Sequence, residues 1–158
     1  MSLLDLDYQP PGMRDVSAKA VTRRTATAQA ILRAAPETIR TIAEGRLPKG
    51  DPLPVAKVAA IMAAKNTAQI IPYCHPLPVE HLGVEFEIGA DTIKITTHVV
   101  AHYKTGVEME ALTAAAVAAL SIYDMAKMID PGMVVEQVAL VIKTGGKSDF
   151  SRGGDVAG

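Results

Sequence analysis

A chain of 158 residues is the size of one ordinary domain and is long enough to bury a core of its own. Its charged residues, 21% of the total, nearly cancel to a formal net charge of -1, which excludes recruitment to nucleic acid or an anionic membrane by bulk field. Aromatic content of 4% with no tryptophan leaves few platforms for base stacking, and a single cysteine, Cys74, excludes an intrachain disulfide.

The chain begins MSLLDLDYQPPGMRD, which is acidic and carries a Pro-Pro step, unlike a secretory signal peptide. Its apolar stretches are broken by charge within about a dozen residues, short of the roughly 20 that span a bilayer. A cytoplasmic location without membrane contact is therefore expected. Residues 1–13 read as a flexible arm, 14–147 as one domain, and the polar, glycine-containing 148–158 as a flexible tail.

Between Ser17 and Glu44, Ile31, Ile39 and Ile42 fall among good helix formers and predict two helical pieces divided at Pro36, with Gly45 as a stop. A loop, RLPKGDPLP, then holds Lys49. Val55, Val58, Ile61 and Met62 are spaced for a helix running to Ala68, and the X-Pro steps in IPYCHPLP forbid its continuation. VEFEI (84–88) and IKITTHV (93–99) alternate apolar and polar residues around GADT, the pattern of a hairpin with one dry face. Val107 to Met128 reads as a long, alanine-rich helix, and VVEQVALVIK (134–143) as a last strand before TGGKS. Helices, a strand pair, a helix and a strand make an α+β domain, a ferredoxin-like antiparallel sheet with helices packed on one face.

Four groups of residues carry chemistry. Glu108 and Glu110 open the long helix, where carboxylates also complement the helix dipole, and Asp124 and Lys127 lie one turn apart near its end, as an i,i+3 ion pair would. Glu110 and Asp124 stand about 21 Å apart along such a helix, so one small molecule cannot touch both within one chain. Either they serve different functions, or a symmetry-related copy brings its opposite helix end alongside. KTGGKS (143–148) lacks the first glycine of a Walker loop, Val141 standing in its place, but its amides and Lys143 and Lys147 suit an anion as well as they suit a solvated turn. In IPYCHPL (71–77), His75 is presented rigidly ahead of Pro76, while the histidines and Cys74 lack zinc-like spacing. Lys19, Arg23, Arg24, Lys49 and Lys65 are basic positions that no spacing unites.

Together these strings resemble the MoaC family of molybdenum-cofactor biosynthesis, the cyclic pyranopterin monophosphate synthases. The resemblance runs in order through MRDVSAK (13–19), KGD (49–51), AAK (63–65), IPYCHPL, KTGVEMEALTA (104–114), ALSIYDMAK (119–127) and KTGGKS. It implies a lyase that converts 3′,8-cyclo-7,8-dihydro-GTP to cyclic pyranopterin monophosphate with release of pyrophosphate. It also implies a ferredoxin-like subunit in a homohexamer, a trimer of dimers, with sites at subunit interfaces. Lys49, Asp124 and Lys127 match the family's catalytic positions. Tyr73, Cys74, His75, Met109 and Glu110 occupy its substrate-binding strings, Glu108 adjoins them, and Asp15, Lys19, Arg24 and Lys143 match further polar positions. No metal site and no resident cofactor are implied; Mg²⁺ assistance to the triphosphate is left open. Clustered cations are expected to lower the lysine pKa values, with Asp124 orienting Lys127. Tyr73 departs from the family's aliphatic residue and Asp149 from its glycine. Other readings of the same residues are a non-catalytic nucleotide-binding module and a metalloenzyme built on His98 and His102.

Overall fold

The computed structural model describes residues 11–153. In chain order the elements are β1 (Thr22–Arg33), α1 (Pro36–Ala43), α2 (Pro52–Lys65), α3 (Thr67–Ile70), β2 (His81–Ile88), β3 (Thr92–Tyr103), α4 (Glu108–Ala126), β4 (Val134–Thr144) and β5 (Phe150–Ser151). The strands form one antiparallel sheet in the order β2-β3-β1-β4-β5. β1 and β2 run parallel with β3 between them, and β3 and β4 run parallel with β1 between them. These are the two split β-α-β units of a ferredoxin-like α+β domain.

The expected helix ahead of Pro36 is instead β1. Its sequence, TRRTATAQAILR, alternates, and Ala26, Ala28, Ala30 and Leu32 all point to the helical layer with no exposure. Alanine favours helix locally, but here small side chains on a central strand let α4 settle close to the sheet, and packing overrides propensity. Pro36 does open a helix, at the first turn of α1 where its missing N–H costs nothing. The hairpin stands as expected, closed by Gly89 N–H to the Thr92 carbonyl at 2.8 Å.

α4 forms the core of the domain. By length and apolarity it could cross a membrane. Its apolar side is already covered, however, since Ala111, Ala114, Ala115, Ala118, Ala119 and Ile122 are buried against the sheet and α2. α2 returns the match with buried Ala56, Ala60, Ala63 and Ala64. Alanine against alanine draws the two helix backbones together.

Part of the segment expected to fray is held in the sheet. Phe150 and Ser151 pair with Lys143 and Ile142, and Arg152 N–H donates to the Val141 carbonyl at 2.8 Å. Of the two expected flexible ends, 1–13 and 148–158, residues 1–10 and 154–158 lie outside the described residues.

Candidate functional site

Most of the residues singled out from the sequence fall into two groups, one at each end of α4. At its C-terminal end, Asp124 takes two lysines at once. Lys127 Nζ donates to Oδ1 at 2.7 Å, and Lys49 Nζ donates to Oδ2 at 3.0 Å and to the Asp124 carbonyl at 3.3 Å. Lys49 reaches the helix from the loop before α2, where Gly50 adopts φ +92°, a left-handed backbone turn suited to glycine. Asp51 then caps α2 by accepting the Leu53 N–H at 3.0 Å. The run KGD thus places a cation, a turn and a cap in succession.

Hydrogen bonds from Lys127 and then Lys49 hold the Asp124 carboxyl below its usual range, and Asp124 in turn raises the Lys127 ammonium. The expected lowering of the lysine pKa values is not what this arrangement does to Lys127. In the single chain a carboxylate partner faces it at hydrogen-bond distance, and a contact of that kind outweighs the repulsion of a second lysine. Lys127 is a firm cation.

The N-terminal end of α4 carries the second group. A cleft of about 220 Å³ is lined by Lys19, Arg24, Glu108, Lys143, Gly146 and Lys147, among others. Four of these are cations and one is a carboxylate, so the cleft favours an anion. Lys143, on β4, pairs with Glu108 at 3.2 Å. Arg24, on β1, donates from Nη2 to the Lys104 carbonyl at 3.2 Å, while its buried Nε has no partner. Lys104 in turn donates to the Ser17 carbonyl at 2.7 Å, and Asp15 accepts the Ser17 N–H at 2.8 Å, which holds its carboxyl low. These bonds tie the segment MRDVSAK down beside the cleft, where Lys19 joins its lining.

The TGGKS turn closes the cleft at a point where only glycine fits. At Gly145, φ is +90° and an added Cβ would stand 2.0 Å from the Arg23 carbonyl oxygen. Its N–H donates to Asp149 Oδ1 at 3.2 Å. Asp149 thus places a carboxylate on the amide of this turn.

Beside the cleft, the IPYCHPL loop docks on the start of α4. Cys74 Sγ lies 3.6 Å from Glu110 Oε1, and His75 Nε2 shares a 2.7 Å hydrogen bond with the Arg14 carbonyl. Glu110 is buried, at 2% exposure, and burial raises its carboxyl. Burial and then Glu110 push the Cys74 thiol up to about 11, so it is a neutral donor and not a nucleophile. Tyr73 and Met109 are exposed.

Thr25 and Thr144 also line the cleft and bond each other at 2.6 Å. Sequence reasoning missed them, because threonines in strands signal only β-propensity. The other highlighted residues lie elsewhere. Lys65 lines a separate cleft with Val79, Glu80 and His81. His98 Nδ1 meets the Thr27 hydroxyl at 2.9 Å, and His102 Nδ1 meets Glu80 at 2.7 Å. Among the described residues no three His, Cys, Asp or Glu side chains gather in a metal-binding group.

A ferredoxin-like domain with a cationic cleft at one end of its core helix and a Lys-Asp-Lys cluster at the other has the layout of an enzyme for an anionic small molecule. The chain belongs to the MoaC family, whose pattern matches residues 13–146. It is 51% identical over 142 residues to a cyclic pyranopterin monophosphate synthase of Geotalea uraniireducens, covering 89% of each chain. It is 52% identical over 143 residues, again 89% of each chain, to the enzyme of that name from Brevibacillus brevis. It is also 52% identical over 141 residues to that of Herpetosiphon aurantiacus, covering 87% of this chain and 86% of the relative.

Proposed function

We propose that this protein is a cyclic pyranopterin monophosphate synthase, a cytoplasmic lyase of molybdenum-cofactor biosynthesis. It takes 3′,8-cyclo-7,8-dihydro-GTP to cyclic pyranopterin monophosphate and pyrophosphate. The observation that carries this reading is the convergence of Lys49 and Lys127 on Asp124. The cluster is exposed, so it adds little to stability. Its value lies in holding two ammonium groups at a fixed spacing for an incoming anion.

The chemistry asks for such groups. The substrate's triphosphate needs several cations, which Lys19, Arg24, Lys143 and Lys147 supply from the cleft. Ring opening and reclosure need proton transfers to nitrogen and oxygen. A sugar hydroxyl then attacks the α-phosphorus, and the departing pyrophosphate gathers charge that ammonium groups stabilise. Lys127, held as a cation by Asp124, acts as acid or electrostatic stabiliser in the free-enzyme state and not as a base. Cys74, His75, Met109 and Glu110 receive the guanine-derived ring.

The two groups of residues are separated by most of α4, Glu108–Ala126, on the order of 21 Å between Glu110 and Asp124. The enzyme therefore assembles its site between subunits, the cleft of one chain facing the Lys49–Asp124–Lys127 cluster of another, in a hexamer built as a trimer of dimers. The protein's own residues suffice for this scheme without a resident cofactor, and Mg²⁺ on the triphosphate is a separate question that chelation answers.

The test is release of pyrophosphate from the cyclised GTP derivative. The native chain releases it, and Lys127→Ala keeps fold and assembly but loses roughly 10²–10⁴-fold in rate. Normal turnover by Lys127→Ala refutes its assigned role.

A further inference from the structure

Glu110 is an unusual residue to find unsupported. It sits in the first turn of α4 with 2% exposure, and its Oε2 is buried with no hydrogen-bond partner. The titratable groups acting on it are the Cys74 thiol, from the loop after α3, and Glu108 on its own helix. Neither is a cation. An ionised carboxylate in this place would be buried beside another carboxylate with only its own backbone N–H and one weak thiol as donors, both leaving Oε2 bare, an arrangement that proteins avoid by protonating the group. A native structure rarely leaves such an oxygen without purpose.

We propose that Glu110 carries its proton on Oε2 in the empty site and gives it up when two adjacent N–H donors of a guanine-type edge bind both carboxylate oxygens, with Cys74 holding Oε1. This deepens the proposed function and rests on it. A guanine-derived ring offers its ring N–H and its exocyclic amino group side by side. That pair of donors fits a carboxylate, which accepts at both oxygens, and mismatches a carboxylic acid, which must donate at one. Binding therefore expels one proton from Oε2 to solvent, and the ligand's two donors replace it. Reaching Oε2 also requires the ligand to displace the atoms that cover it. A ring edge lacking the paired donors cannot replace the proton and meets a carboxylic acid whose O–H needs an acceptor, so the pairing confers specificity.

Cys74 is a positioning residue in this scheme. Its thiol stays protonated near neutral pH, with a pKa of about 11, and so remains a donor to Oε1 in both states of Glu110.

The test uses the Lys127→Ala chain, which binds the cyclised GTP derivative without turning it over. Calorimetric titration at one pH, in two buffers of different ionisation enthalpy, counts the protons released per substrate bound. The expected result is about one more proton from this chain than from the same chain carrying Glu110→Gln, with Cys74→Ser leaving the count unchanged. Equal counts with and without Glu110→Gln overturn the inference. Infrared difference spectra decide the matter if Glu110→Gln does not fold: the protonated-carboxyl stretch present in the empty site disappears on binding. A band that is absent beforehand, or that survives binding, overturns it. Failure of the substrate to bind at all removes the proposed function first and this inference with it. Binding without proton release removes the inference alone.

Discussion

Two aspartates at the end of α4 show how the same side chain serves two ends. Asp124 is exposed and spends its charge on Lys127 and Lys49. Asp124→Asn should leave folding unchanged and reduce turnover roughly 10–100-fold by loosening both ammonium groups. It also removes what raises Lys127, so the alkaline limb of the pH–rate profile should move to lower pH. A limb that stays in place would detach Lys127 from that ionisation. Asp130, six residues on, is structural. α1 has no side-chain cap of its own, and Asp130 accepts the Ala35 N–H at 2.9 Å, the Thr38 hydroxyl at 3.0 Å and, on its other oxygen, the Gly132 N–H at 3.0 Å. Loss of this borrowed cap in Asp130→Ala should cost about 1 kcal/mol at neutral pH, read by urea denaturation. These bonds depress the carboxyl, so its contribution is present above the unfolded value of about 3.9 and fades as pH falls through the lower folded value. The gap between native and variant should therefore close in acid.

At the scale of elements, the alanines of α4 and β1 set the distance between helix and sheet. Ala118→Leu inserts three carbons into a fully buried position and should destabilise by about 1–3 kcal/mol, measured by thermal or urea unfolding. Gly145 sets the shape of the turn after β4. Gly145→Ala meets both the left-handed backbone and the Arg23 carbonyl, so the turn must shift. The turn lines the anion cleft, and the loss should fall on substrate affinity, as a higher KM with a smaller change in kcat. The alanines also explain why β1 was unreadable as a strand. TATAQA alternates faithfully, but its inward residues are the best helix formers known, and nothing local reveals that a helix will lie against them.

For the whole molecule, the length of α4 is the governing dimension. The Lys49–Asp124–Lys127 cluster and the cationic cleft occupy opposite ends of a nineteen-residue helix. If one active site draws on both, it needs two chains. Light scattering on the eluted protein should give a mass near six times 16.6 kDa, and a monomer of full activity would contradict the shared site. Mixing Lys127→Ala chains with Gly145→Ala chains supplies a sharper check when assayed at substrate well below the raised KM, since shared sites regain part of the activity that each variant lacks there.

The sequence by itself determined the class of fold, the hairpin, α4 and nearly every residue of both groups, because periodicity, X-Pro steps and long family strings are local properties. It also set the spacing along α4, since a helix converts residue number directly into distance. Only the tertiary structure decided that β1 is a strand, that Lys49 meets Asp124 across 75 positions of chain, and that Asp130 caps a distant helix. It alone decided that Glu110 is buried without a partner on Oε2 and that Lys127 is raised instead of lowered. These facts depend on which atoms stand within about 3 Å of one another or are shielded from water. Contacts between segments far apart in the chain leave no periodic trace in it.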